Sequence, residues 1–333
     1  MAVMKFIRRG AAVCGVVAAA AAAVGTATHF IGVDSSTATR IASFTPYLIL
    51  LTVPAMVLLL LARQRLAAAV CVAIAAAGIW SQLPLFVGSS HTTAPDDLSV
   101  RLMQANIRLG EADARSIVDT VVDERVDLLT VVELTPAAVG RLDEAGLSRT
   151  LQYSFVRPRD GGGGAGIFSR FPLQDGALLD GYALHNVKAV AQIPGAAPTE
   201  VYALHPVPPY PEPSWKWVYE LRRLHAEFAA QTRPLIVGAD FNSTYDHRQF
   251  RDLLRDSAAD GVGALLDAQE YLGAGILATY PADRRFPALL AIDKILTRGP
   301  TPIAIRRVDL PGSDHHGLIG DIRVQRAGEP KER

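Results

Sequence analysis

The chain has 333 residues and a mass of 35.6 kDa; half its residues are hydrophobic, its mean hydropathy is +0.20, and 33 Lys+Arg balance 33 Asp+Glu. That apolar content excludes disorder as the main state, and two cysteines exclude a disulfide-stapled scaffold. Zero net charge disfavours a basic nucleic-acid-coating protein, and the length corresponds to one large or two modest domains.

The charges are unevenly placed. Residues 1–96 hold six basic residues (Lys5, Arg8, Arg9, Arg40, Arg63, Arg65) and two acids (Asp34, Asp96), leaving 27 basic and 31 acidic residues for 97–333. Residues 10–33, 41–62 and 66–88 contain no Asp, Glu, Lys or Arg, and each run has at least 22 residues. A helix needs roughly 20 residues to cross a hydrocarbon core of ~30 Å, so residues 1–90 are expected to form a membrane anchor of three transmembrane helices. Cys14 and Cys71 lie inside these runs and read as small apolar residues. The alternative for the first run is a cleaved signal peptide with Lys5, Arg8 and Arg9 as its basic region. Either way, the positive residues place the N-terminus and the Arg63–Arg65 turn in the cytoplasm and the rest of the chain outside it, at a bacterial cell membrane. Residues 91–98, with Pro95, read as a linker.

Beyond the linker, apolar runs and helical periods alternate. Strands are expected at 100–105, 128–132, 165–168, 187–193, 200–204, 235–238, 289–296, 303–308 and 318–324. Helices are expected at 111–125, 136–145, 215–230 and 247–256, the third with Trp217, Leu221, Leu224 and Phe228 as its apolar stripe. The glycine run 161–164 breaks the pattern, as a hairpin loop or a cleft edge. Residues 206–213 hold five prolines, next to Trp215 and Trp217. They read as a rigid loop, an aromatic lip over a site, or a bilayer contact. The domain, 99–326, is α/β with some antiparallel strands, and 327–333 form a polar tail.

The polar residues fall at strand ends. Asn106, Glu133 and His205 follow strands; Asp240 and Asn242 follow 235–238; Asp293 sits inside an expected strand; Asp314 and His315 precede the last one. Strand ends on one rim can converge. Acids and amides with two histidines and no cysteine suit Mg2+ or Mn2+ better than Zn2+. Such a set fits attack of water on a phosphoester: a cation neutralises phosphoryl charge, a base activates water, and donors hold the non-bridging oxygens.

The segments Met103-Gln104-Ala105-Asn106-Ile107-Arg108, Val131-Val132-Glu133-Leu134-Thr135, Gly166-Ile167-Phe168-Ser169-Arg170-Phe171-Pro172-Leu173, Ala203-Leu204-His205-Pro206, Gly238-Ala239-Asp240-Phe241-Asn242, Thr279-Tyr280-Pro281, Ile292-Asp293 and Gly312-Ser313-Asp314-His315 occur in this order. Together they resemble the endonuclease/exonuclease/phosphatase superfamily over roughly residues 100–324. The resemblance implies a DNase-I-like four-layer α/β sandwich, here preceded by the three transmembrane helices, and a metal-dependent phosphoesterase. It implies Glu133 as main Mg2+ (or Mn2+) ligand, with Asn106 beside it and Asp314 near the metal. It implies Asp240 as the acid that orients or deprotonates water, with Asn242 as its amide partner. Asp293 would orient His315, which acts as base or phosphate contact, and His205 would contact the scissile phosphate or act as acid. Two positions depart from the pattern: Arg108, where an acid or amide is common, and Lys294, where His or an aromatic is common. The expected substrate is a phosphodiester, either nucleic acid or a lipid headgroup; the expected partner is the bilayer, with no protein partner. The alternative is a catalytically inactive relative that binds a phosphorylated ligand.

Overall fold

The computed structural model describes residues 2–89, 98–256 and 263–328. The expected linker, apart from Leu98, and the tail beyond Gly328 lie outside the described residues.

The first part is helical: α1 (Ala2–Phe30), α2 (Ser36–Ser43), α3 (Thr45–Leu50), α4 (Thr52–Leu61) and α5 (Arg65–Gln82), followed by a 3-10 turn at Leu83–Leu85. Two helical stretches, Val3–Phe30 and Arg65–Leu85, are long and apolar enough to cross a membrane. The middle run, expected to be one straight span, is broken: Ser36–Ser43 and Thr45–Leu61 meet at a 63° bend and amount to a third crossing only if counted together. The break has a local cause. Phe44 leaves helical geometry, and Pro46 opens α3, where its missing N–H costs no hydrogen bond. Glycines let the helices approach closely: a Cβ on Gly15 would lie 2.9 Å from Leu59, and one on Gly25 would lie 2.7 Å from Leu48. The same pairings set α1 antiparallel to α3 and α4. Cys14 and Cys71 are unpaired thiols.

The second part has two six-stranded sheets. The first comes from β1 (Ser99–Asn106), β2 (Leu128–Val132), β3 (Tyr153–Arg157), β4 (Ala165–Ser169), β11 (Thr301–Val308) and β12 (Gly317–Arg323), in the order β11-β12-β1-β2-β4-β3. The second comes from β5 (Leu173–Leu178), β6 (Val187–Ala191), β7 (Thr199–Leu204), β8 (Leu235–Asp240), β9 (Leu266–Asp267) and β10 (Asp293–Arg298), in the order β5-β6-β7-β8-β10-β9. Only β1–β2 and β7–β8 are parallel among the described strand pairs. Leu102, Leu128, Ile167, Val201, Ile236 and Ile295 fill the space between the sheets. Gly238 is needed there: a Cβ would meet Thr130 Oγ1 of the facing sheet at 2.0 Å.

Helices cover both outer faces. α6 (Ala114–Asp123), α7 (Pro136–Glu144) and α8 (Leu147–Thr150) lie over the first sheet, and Ile117, Val121 and Leu142 are buried with Met103 and Leu129. α9 (Ser214–Ala230) and α10 (Arg248–Asp256) cover the second, where Trp217, Leu221, Leu224 and Phe228 pack on Tyr202 and Val237. A last short helix, α11 (Ala268–Tyr271), follows β9. The result is helix, sheet, sheet, helix. The strand expected over 289–296 starts only at Asp293, because Leu290 instead pairs back to Tyr280. Strands β3 and β5 were not expected from the sequence.

Candidate active site

The two sheets bring their polar strand ends to one rim. β1 delivers Asn106 and β8 delivers Asp240. β10 runs antiparallel to β8 with Asp293 directly opposite Asp240. His205 follows β7, Glu133 follows β2, and His315 precedes β12 by two residues. Glu133 (φ 59°) and Asn242 (φ 51°) adopt left-handed backbone, which Asn tolerates and which is uncommon for Glu.

Asn106 is the hub. Its amide Nδ2 donates to Glu133 Oε1 at 2.9 Å and to Asp240 Oδ2 at 3.0 Å. The second Glu133 oxygen accepts from the Leu109 N–H at 2.7 Å. Asp240 Oδ1 accepts from the Asn242 N–H at 2.8 Å, and Asn242 Nδ2 donates to Pro206 O at 3.1 Å. His315 Nδ1 lies 2.8 Å from Asp293 Oδ2, and its Nε2 lies 3.8 Å from Asp240 Oδ2. His205 Nε2 reaches the same Asp240 oxygen at 3.5 Å. All the residues expected at the site therefore gather in one place, with Asp314 beside them on the His315 loop.

Supporting residues carried no sequence-derived role. Asn186 Oδ1 accepts from the His205 N–H at 2.7 Å. The Ser313 hydroxyl donates to Asn106 O at 2.8 Å and accepts from the His315 N–H at 3.0 Å, tying β1 to the His315 loop. The Tyr280 ring packs on His315 with centroids 4.9 Å apart. Ser313 and Tyr280 stand in motifs quoted above; Asn186 has no sequence signal.

The electrostatics follow from burial and charge. Burial raises the Asp240 carboxyl above its ordinary range, and the facing Asp293 adds to the rise. For His315, burial favours the neutral ring, but Asp293 by charge and hydrogen bond, with Asp240 and Asp314, outweighs it and pushes the imidazole up to about 10. Asp314 is raised by burial and by the like charge of Glu133. Two acids that repel each other across a half-buried gap suit a divalent cation.

Asp240, Asp293 and His315 also form a group with ligand atoms within 4.8 Å of one another. The Asp293–His315 hydrogen bond takes one atom of each, His315 Nδ1 and Asp293 Oδ2, and leaves His315 Nε2 and Asp293 Oδ1 outside it. Two buried polar atoms at the site, His205 Nδ1 and Asp293 Oδ1, have no protein partner. Such groups are expected where a ligand completes the hydrogen bonding.

Residues 103–315 match the family model described as Endonuclease/Exonuclease/phosphatase family. Among solved structures, a humanized D. rerio TDP2 carrying 14 mutations is 17% identical, with 67% of this chain and 98% of that chain covered at a TM-score of 0.54. D. rerio TDP2 complexed with a single-strand DNA product is 17% identical, with 68% and 99% covered at a TM-score of 0.53. The endonuclease/exonuclease/phosphatase from Bacteroides vulgatus is 14% identical, with 68% and 100% covered at a TM-score of 0.53. Likeness at this identity concerns the fold. None of the curated proteins matches the sequence. The family match spans nearly the whole two-sheet sandwich and every strand end that carries the site, so the chain belongs to the endonuclease/exonuclease/phosphatase family.

Proposed function

We propose that the protein is a membrane-anchored, metal-dependent phosphoesterase that hydrolyses phosphodiester bonds, of nucleic acid or of an envelope lipid, by metal-assisted attack of water, with its catalytic domain outside the cytoplasm. The observation that carries this reading is the Asp240–Asp293 pair, buried face to face, hydrogen-bonded to Asn106 and His315, with Glu133 on the far side of the same amide.

Glu133, Asn106 and Asp314 would hold Mg2+ or Mn2+: they offer hard oxygen donors, and the repulsion between Glu133 and Asp314 is relieved by a cation. When bound, the ion supplies neutralisation of phosphoryl charge. The chain's own groups divide the rest. Asp240, raised by burial and held by the Asn242 N–H, is the acceptor for the proton of the attacking water. His315, kept protonated by Asp293 through the neutral range, is a cationic donor to a non-bridging phosphate oxygen. His205, its backbone held by Asn186 and its Nε2 beside the same Asp240 oxygen, donates to the phosphate or the leaving oxygen.

The test is Mg2+-dependent hydrolysis of a chromogenic phosphodiester by the full chain in detergent. Glu133→Ala, Asp240→Ala and His315→Ala should each lose about 10²-fold or more in turnover while keeping the parent circular dichroism. Full activity in all three variants would reject the assignment.

A further inference from the structure

The helical segment is not a loose tether. Its near end is bonded to the rim of the sandwich that carries the site. His29 Nδ1, at the end of α1, lies 2.7 Å from Asp246 Oδ1, and Gln82 Nε2 of α5 donates to the same oxygen at 2.7 Å. Arg251 donates to His29 O. These groups are buried, and breaking such a set leaves uncompensated charge, so the attachment is rigid.

Two further links fall on the loops that border the cleft. After His205, the proline-rich loop carries Tyr210, whose ring lies under Arg40 of α2 at 4.8 Å, and it ends at Ser214, which donates to Asp34 at 2.8 Å. On the other side, the loop between Tyr280 and Asp293 accepts a hydrogen bond at Leu289 O from the Tyr47 hydroxyl of α3 at 2.7 Å. Tyr280 itself touches His315. Both loops are therefore pinned to the level at which α1 and α5 end. Their aromatic rings stay outside the fold: Tyr210 is 58% exposed, Trp215 57% and Phe286 50%. Phe286 stands in the exposed tip Arg284-Arg285-Phe286-Pro287. Exposed aromatics beside arginines, continuous with apolar helix ends, match the headgroup layer of a bilayer.

We infer that the cleft opens onto the membrane surface and that its substrate is the phosphoester of a membrane-embedded amphiphile, which reaches the site by diffusing in the plane of the bilayer. The inference rests on the phosphoesterase reading above. Charge points the same way: residues 97–333 carry 27 basic and 31 acidic residues, a poor balance for a polynucleotide groove.

The experiment uses the full chain in phosphatidylcholine vesicles with Mg2+. Long-chain phosphatidylglycerol and phosphatidic acid are offered in the bilayer, their dihexanoyl forms in solution, and single-stranded DNA in parallel. The long-chain forms should be preferred, and their turnover should fall as they are diluted with phosphatidylcholine at constant bulk concentration. Trp215→Ala with Phe286→Ala should lower that turnover by about tenfold or more and leave the dihexanoyl rate unchanged. A second readout is independent of turnover. In a Trp80→Phe background, lipid with a nitroxide on its headgroup should quench Trp215, read as the difference from Trp80→Phe with Trp215→Phe. Absence of that quenching overturns the membrane-facing rim. Preference for DNA or for the soluble forms, with the rim variants indifferent, overturns the substrate assignment alone. Hydrolysis in no arm overturns the phosphoesterase reading and the substrate assignment with it, while the quenching result still reports on the rim.

Discussion

Asp293 sets the charge of His315 and stands opposite Asp240, so one substitution there separates the roles. His315, held near 10 against an ordinary 6.5, contributes stability that is fully present below about 6.5 and lost as pH rises through about 10. Asp293→Asn keeps the shape and removes the charge. Turnover should fall by about 10²-fold, and the alkaline limb of the rate profile should move down by about one unit or more, measured on the chromogenic diester. A profile and rate like the parent's would show that Asp293 does not govern His315. The gathering of these groups at one rim was legible in the sequence because they sit at the ends of apolar strands, where a charge has no packing reason to be. What was not legible was geometric. Nothing in the sequence signals that Glu133 takes left-handed backbone or that Asn186 holds His205. The two departures from the family pattern also resolve only in space. Arg108 turns to Asp283 at 3.1 Å and Glu111 at 3.2 Å, and Lys294 points into the core, 3.3 Å from Asp267, both of them fully buried.

At the scale of elements, the segment 241–247 between β8 and α10 joins the helical segment to the catalytic strand, and His247 is its hinge pin. Nδ1 accepts from the Thr244 N–H at 3.0 Å, and Nε2 donates to Thr39 O of α2 at 3.1 Å. That pairing suits the neutral ring, because a proton on Nδ1 would face the Thr244 N–H. Burial accordingly lowers His247 to about 4, with Asp246 opposing the shift and Arg251 aiding it. The unfolded chain takes up the proton near 6.5 and the folded chain only near 4, so stability is present above about 6.5 and lost as pH falls through about 4. The loss should be on the order of 3 kcal/mol. Urea midpoints of the full chain in detergent should fall between pH 7 and pH 4, and His247→Asn, which keeps an acceptor for Thr244, should flatten that slope. Equal slopes would remove His247 from the account. Elements were read well where burial imposes a period, as in α9 and β8. Strands β3 and β5 carry little sequence signal because both are largely exposed, and β5 has a register shift between Gln174 and Ala177. The middle apolar run was read as one helix because composition does not register the restart at Pro46.

Over the whole molecule, the arrangement of charge and contact bears on the proposed orientation. α1 runs antiparallel to α4, so Lys5, Arg8 and Arg9 lie at the same end as Arg63 and Arg65, and the contacts of His29, Gln82 and Tyr47 with the sandwich lie at the other. From Arg9 to His29 the helix rises about 30 Å, the thickness of a hydrocarbon core. The exit of α5 is joined to the sandwich as well: Gly275 N–H donates to Leu85 O at 2.7 Å, and Ser89 N–H to Tyr271 O at 2.8 Å. A chain cleaved after the first apolar run would lose His29 and leave Asp246 with one partner fewer in a buried setting, so this packing supports retention of α1 as an anchor. In the proposed orientation the positive residues at the far end lie in the cytoplasm and the catalytic domain lies outside. Alkaline phosphatase fused after Arg333 should therefore be active in intact cells, and the same reporter fused after Gln64 should be silent. The reverse pattern would turn the molecule over, put the cleft on the cytoplasmic leaflet, and shift the search for its substrate to phosphoesters on that side.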